Sequence, residues 1–213
     1  MKTKILLSAC LLLAATSAPG ALVITEVMAN SGSETGATNG DWFELTNTGS
    51  VAIDLTGYYW DDGGSSANDG SLFPGIVIGA GDSIVIVDEN ATNLSAWVTA
   101  WGGSVVAYSS ETFGGPNTFS GLSANGDQIE IWDADPNAGT ANLVASAYFG
   151  TSTTGYSFIW DTEGNSLGIS VAGENGAYTA ANGDVGSAGT VVPEPSIALF
   201  GGLGLLGLFL RRR

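Results

Sequence analysis

Short runs of β-branched and aromatic residues recur along the chain, each closed by Gly, Asn or Asp, and this punctuation constrains the fold more than any other feature. The runs cover 22–29, 42–47, 57–60, 83–87, 128–132, 143–149 and 156–160. Runs of this length bounded by turn residues predict strands, and a series of them with turn-rich connections predicts an all-β sandwich. One stretch has a different period. Leu94, Trp97, Val98 and Trp101 fall at i, i+3, i+4 and i+7, with Thr92 or Asn93 available as N-cap and Gly102 just beyond the end. That spacing predicts a short helix lying over one edge or end of the sandwich. Its tryptophans admit a sugar-binding reading, but helical spacing favours packing into a core.

The chain has 213 residues, enough for one domain plus signals. Its charge is segregated. The five basic residues are Lys2, Lys4, Arg211, Arg212 and Arg213, so nothing from Ile5 to Leu210 carries Lys, Arg or His, whereas 20 of the 21 acids precede Glu194. A body of this kind has no cationic side chain to neutralise phosphates, which excludes nucleic acid as a partner. Without His it cannot build a Ser-His-Asp or Cys-His site, and the commonest zinc ligand is missing.

Both ends read as targeting signals. Lys2 and Lys4 precede an apolar run over 5–15 and then small residues, the three-part layout of a signal peptide spanning 1–20, with cleavage expected before Ala21. The lone cysteine, Cys10, lies within that apolar run, so the mature body is expected to lack both disulfides and thiols. Leu7-Ser8-Ala9-Cys10 matches the residue types of a lipoprotein box, yet the apolar run continues through it, which favours the ordinary signal. The other end, 191–213, holds Pro193-Glu194-Pro195, an apolar stretch over 197–210, then Arg211, Arg212 and Arg213. It resembles the PEP-CTERM sorting signal. The resemblance implies recognition by an exosortase, a membrane peptidase acting near the motif. A helix over that stretch would reach about 21 Å at ~1.5 Å per residue, short of the roughly 30 Å hydrocarbon core, which fits transient membrane association better than a permanent anchor.

Within the body, Glu26, Asp41 and Glu44 are the acids most easily taken for a catalytic set, and Glu26 and Glu44 fall on neighbouring strand segments. A glycoside hydrolase needs such a carboxylate pair. Capping of backbone donors or exposure to solvent is the favoured reading, and no catalytic residue is assigned. The loop acids pose a second question. Asp133, Asp135 and Asn137 alternate before Gly139, and Asp61, Asp62, Asn68 and Asp69 cluster in a Gly-rich loop. Oxygen ligands suit calcium, but Asp, Pro, Asn and Gly also compose a hairpin turn, and that reading is favoured. No metal ligand and no cofactor are assigned.

The body as a whole resembles a known family. Ile24-Thr25-Glu26-Val27, Asp41-Trp42-Phe43-Glu44-Leu45-Thr46-Asn47 and Ile53-Asp54-Leu55-Thr56-Gly57-Tyr58 are similar to the opening of the lamin-tail domain. Gly79-Ala80-Gly81-Asp82-Ser83, Gly121-Leu122-Ser123 and Thr154-Gly155-Tyr156-Ser157-Phe158 follow in the same order. The resemblance implies an immunoglobulin-like β-sandwich over 22–190 with one short helix, acting as an accessory or interaction module. The combined expectation is a non-catalytic structural or adhesive protein of the bacterial cell envelope or extracellular polysaccharide matrix, with polysaccharide or other matrix proteins as partners. A calcium-dependent carbohydrate- or protein-binding module is the alternative.

Overall fold

The computed structural model describes residues 21–33, 35–63, 70–114 and 121–190. Its strands are β1 (Leu22–Met28), β2 (Trp42–Asn47), β3 (Ile53–Asp54), β4 (Tyr59–Asp61), β5 (Ser71–Leu72), β6 (Val77–Ile78) and β7 (Ser83–Val87). After α1 (Leu94–Ala100) come β8 (Ala107–Ser109), β9 (Asp127–Trp132), β10 (Leu143–Phe149), β11 (Phe158–Trp160), β12 (Ser166–Ile169), β13 (Tyr178–Thr179) and β14 (Val185–Gly186). All seven expected runs contain strands. The strands that the sequence does not announce are short, from two to four residues, too few to display a period.

Two sheets form the sandwich. The larger runs in the order β12-β11-β1-β2-β7-β8, the smaller β10-β9-β4-β5, and β3–β6 and β13–β14 are separate two-stranded ribbons. Between the sheets lies the main core, to which β1 and β2 contribute Leu22, Ile24, Val27, Phe43 and Leu45, and the facing sheet Trp60, Ile129, Ile131 and Phe149.

The larger sheet is covered on its other face as well. Trp42, Val85 and Val87 alternate with the inward residues of β2 and β7 and pack with Trp97 of α1 and Trp101 at its C-cap in a second apolar cluster. With both faces covered, every residue of β2 is buried, and β7 shows the loss of hydrophobic alternation expected of such a strand, with Ile84 and Ile86 in one cluster and Val85 and Val87 in the other. The helix therefore sits on the outer face of the larger sheet, towards its β8 edge. Trp42 meets Trp97 and Trp101 edge-on, with centroids 5.9 and 5.2 Å apart, and both helix tryptophans are core residues rather than exposed platforms. Gly102 ends the helix with φ 88°. The Gly103 N–H donates to the Val98 carbonyl and the Gly102 N–H to the Thr99 carbonyl, the paired bonds of a Schellman stop. Among the described residues no helix is long and apolar enough to cross a membrane.

Candidate functional site: a sealed carboxylate pair

The register of β1 against β2 shifts between Ile24 and Glu26. Ile24 faces Leu45 and Glu26 faces Glu44, so Thr25 is the extra residue of a β-bulge. Ile24 points into the main core, whereas Thr25 and Glu26 both bond groups on the outer face. The consequence is a polar row inside an apolar layer. Thr25 Oγ1 donates to Glu44 Oε1 at 2.6 Å. From Thr25 the row continues through the hydroxyls of Thr46, at 2.8 Å, and Ser83, at 2.7 Å.

Glu26 and Glu44 are both 0% exposed. What seals them is the last described segment of the chain. The Ser187 N–H donates to Glu26 Oε1 at 2.8 Å and the Ser187 hydroxyl to Oε2 at 2.7 Å. Ser157 Oγ donates to Glu26 Oε1, and the Gly189 N–H donates to Glu44 Oε2. This strap, from β13 through Thr190, is itself tied down. Tyr178 Oη donates to the Trp101 carbonyl at 2.8 Å, the Ala181 N–H to the Ala100 carbonyl at 2.9 Å, and the Val185 N–H to the Gly155 carbonyl at 2.7 Å. Asp184 completes the tether by accepting from the Ser31 hydroxyl at 2.6 Å and the Gly32 N–H at 2.7 Å.

Burial drives the electrostatics. Loss of hydration pushes both glutamates well above the ordinary carboxylate range. The Ser157 and Ser187 donors pull Glu26 back in part, whereas the negative charge of Glu26 pushes Glu44 further up. Tyr178 is raised by its burial and then by the Glu26 charge. Residues directly opposite across an antiparallel pair have Cβ atoms only about 4.5–5.5 Å apart, so charge on either carboxyl favours the protonated form of the other. Such a pair could have acid–base chemistry, but no surface of either carboxylate is open to a substrate.

The other acids lie elsewhere. Asp41 accepts from the Leu122 N–H at 2.6 Å, and burial, with the charges of Asp88 and Asp127, raises it to about 6. Asp133 accepts from the Asn142 N–H and side-chain amide at 2.7 and 2.8 Å, while Asp135 accepts from the Asn137 N–H at 2.9 Å. These bonds, the 3-10 turn over Pro136–Ala138 and Gly139 at φ 68° close the β9–β10 hairpin. Asp61 is buried at the end of β4 and accepts from the Gly63 N–H at 3.1 Å. Asp62 follows it, half-buried. Among the described residues no group of three or more acids converges on a metal-binding geometry. An open depression of about 350 Å³ beside the strap includes Val77, Asp82, Ser83, Val106 and Gly189, and none of its lining residues is aromatic. Asn68, Asp69, the leader over 1–20 and the tail with Pro193, Glu194, Pro195, Arg211, Arg212 and Arg213 lie outside the described residues.

The sequence draws attention to Glu26 and Glu44 but not to their partners. Ser157 lies in an expected strand run and Ser187 and Gly189 in a turn-rich stretch, and nothing local marks any of them as a donor to a carboxylate. The one available signal is indirect: a body without basic residues must satisfy any buried carboxylate with hydroxyls and backbone N–H groups.

Two sheets packed face to face around a shared apolar core define an immunoglobulin-like β-sandwich. Comparison of the sequence with family models makes the assignment specific. The lamin tail domain model matches residues 15–174, and the chain belongs to that family, a family of non-enzymatic immunoglobulin-like folds. No curated protein and no solved structure matches the chain. The strap residues that seal the acid pair, Val185 to Gly189, fall beyond the matched segment.

Proposed function

We propose that the chain is a non-catalytic structural or adhesive component of the cell envelope or extracellular polysaccharide matrix, delivered there by its two terminal signals. One observation carries the non-catalytic part of this reading. The acid pair with the best catalytic placement is closed over by the strap, with its oxygens engaged by Thr25, Ser157, Ser187 and Gly189. A glycosidase must open both carboxyls to a sugar and a water. The calcium-dependent alternative draws no support from the β9–β10 hairpin, where the Asp133 and Asp135 oxygens already accept turn hydrogen bonds.

The delivery part rests on the sequence at the two ends. An exosortase that recognises Pro193-Glu194-Pro195 removes the apolar stretch and the arginines. The test is mass spectrometry of the protein recovered from the cell surface and medium of the producing organism. Wild-type protein is expected to lack Arg211 to Arg213, whereas Glu194→Ala and Pro195→Ala variants keep them and stay with the membrane fraction. Recovered wild-type protein that retains the three arginines would overturn the sorting reading.

A further inference from the structure

We propose that the end of the strap, Ser187 to Thr190, is a pH-controlled flap, hinged at Val185 and Gly186, that stays shut on the carboxylate pair in acid and lifts as the pair ionises. This goes beyond the matrix reading and does not depend on it, since it concerns the folded body alone.

The way the strap is fastened defines the hinge. β13 and β14 form a ribbon outside both sheets. Up to Val185 the strap is bonded to the Ala100, Trp101 and Gly155 carbonyls and, through Asp184, to Ser31 and Gly32. Val185 is the last firm point. Its carbonyl also accepts from the Ser157 N–H at 3.1 Å and from Ser170 Oγ at 2.8 Å. Beyond it the fastening changes. Among the described residues, every hydrogen bond from Ser187–Thr190 to the sandwich ends on Glu26 or Glu44. The Thr190 N–H turns back on the Ser187 carbonyl, and Ala188 is the one residue of this stretch in the second apolar cluster. A short terminal segment with so little apolar burial opens locally, ahead of the whole domain. Gly189 also borders the open depression that Asp82 and Ser83 line, so one flank of the flap already meets solvent.

Charge decides when it opens. The groups facing the pair are few. β1 and β2 present the two carboxyls to each other, and β13 presents Tyr178, whose hydroxyl donates to the Trp101 carbonyl. α1, β7, β11, β12 and β14 carry no titratable side chain. Two further acids flank the flap, Asp82 on the rim of the depression and Asp184 before the hinge. No Lys, Arg or His lies between Ile5 and Leu210, so nothing cationic can offset negative charge under the flap. While it is shut, loss of hydration raises both glutamates, and the donors from Ser157, Ser187, Thr25 and Gly189 offset this only in part. Once it lifts, water hydrates the carboxyls and they return towards their ordinary range. The shut form therefore binds more protons, and rising pH favours the lifted one.

The experiment is hydrogen–deuterium exchange of the full chain in a nonionic detergent at about pH 5 and about pH 9, with each amide referred to its rate in the unfolded chain. The Ser187 and Gly189 amides, which donate to the pair, should lose protection by about tenfold or more over that interval, the worth of one pKa unit. The Ala181 and Val185 amides, which donate to carbonyls on the near side of the hinge, should change by less than about threefold. In a Glu26→Gln/Glu44→Gln variant the pH effect at Ser187 and Gly189 should vanish. Protection at those two amides that is independent of pH, or that falls equally at Val185, would overturn the proposal. A second readout leaves the glutamates in place. In a Cys10→Ser background, Ala188→Cys should react with a neutral alkylating reagent about tenfold faster at the higher pH, relative to the unfolded chain. Ala180→Cys, similarly buried on the near side of the hinge, should not, and the two cysteines responding alike would also overturn the proposal.

Discussion

Glu26 and Glu44 stand directly opposite one another on β1 and β2, two fully buried carboxylates in a body that contains no Lys, Arg or His. No salt bridge within the body can neutralise them. Their oxygens are served by hydroxyls and backbone N–H groups, and burial raises the pKa of both. An unpaired buried charge is costly enough that a carboxyl group takes up a proton instead. The pair thus couples the closing strap to the protonation state of the core.

That coupling gives stability a definite pH dependence. Once unfolded, the glutamates titrate near their ordinary value of 4.5, whereas burial holds them protonated to higher pH in the native state. Between those limits the native state binds more protons, so rising pH favours unfolding. The stabilisation is complete below the ordinary value and is lost as pH climbs through the raised ones. Asp41, raised from 3.8 to about 6, adds the same sign at the lower end. Urea unfolding at pH 5 and pH 8 should show a loss of at least about 1.4 kcal/mol, the worth of one pKa unit. A Glu26→Gln/Glu44→Gln variant should lose less over the same interval. A wild-type stability that is flat or increases with pH would contradict this account.

Gly186 is the point where the strap comes closest to the pair. A Cβ there would stand 2.5 Å from Glu26 Oε1, 3.0 Å from Ser157 Oγ and 3.1 Å from the Trp101 ring. Gly186→Ala should therefore destabilise by about 1–3 kcal/mol, the usual cost of overpacking. Differential scanning calorimetry would read this as a melting point lower by several degrees, and an unchanged one would show that the strap adjusts freely.

The end of the family match at residue 174 is not the end of the folded unit. A chain stopped after Glu174 would lose Ser187, Gly189 and Tyr178, leaving Glu26 without two of its donors and the Trp101 face uncovered. Stripping partners from buried polar groups costs about 1–3 kcal/mol each. Compared with a chain stopped after Thr190, the shorter one should melt earlier and bind a hydrophobic dye. Equal melting points for the two would mean that the strap is ornamental.

Divalent ions should act on the body by screening. Because the Asp133 and Asp135 oxygens accept turn hydrogen bonds, calcium and magnesium at matched ionic strength should raise the melting point equally. A loop built for calcium discriminates, since magnesium demands tight octahedral geometry and dehydrates reluctantly. A preference for calcium that is abolished by Asp133→Asn/Asp135→Asn would turn the hairpin into a metal site.

The sequence by itself determined what depends on local pattern. The long strands, the helix with its Gly102 stop and the hairpin through Asp135-Pro136-Asn137-Ala138-Gly139 were legible, because side-chain periodicity and turn chemistry act over a few residues. Segregated charge likewise excluded whole classes of chemistry without any structure. Only the tertiary structure decided what the acids do. Thr25 looks like one more strand residue until the bulge turns it and Glu26 to the same face. Glu26 takes its donors from Ser157 and Ser187, 131 and 161 positions away, and no local period encodes a hydrogen bond of that range. The same holds for the outer layer: on β2 the alternation Phe43-Glu44-Leu45-Thr46 reads as a strand with one solvent-facing side, and only the packing of α1 and the strap reveals that this side is covered as well. Burying a carboxylate obliges the fold to find donors, but which distant segment supplies them is settled when the chain closes on itself.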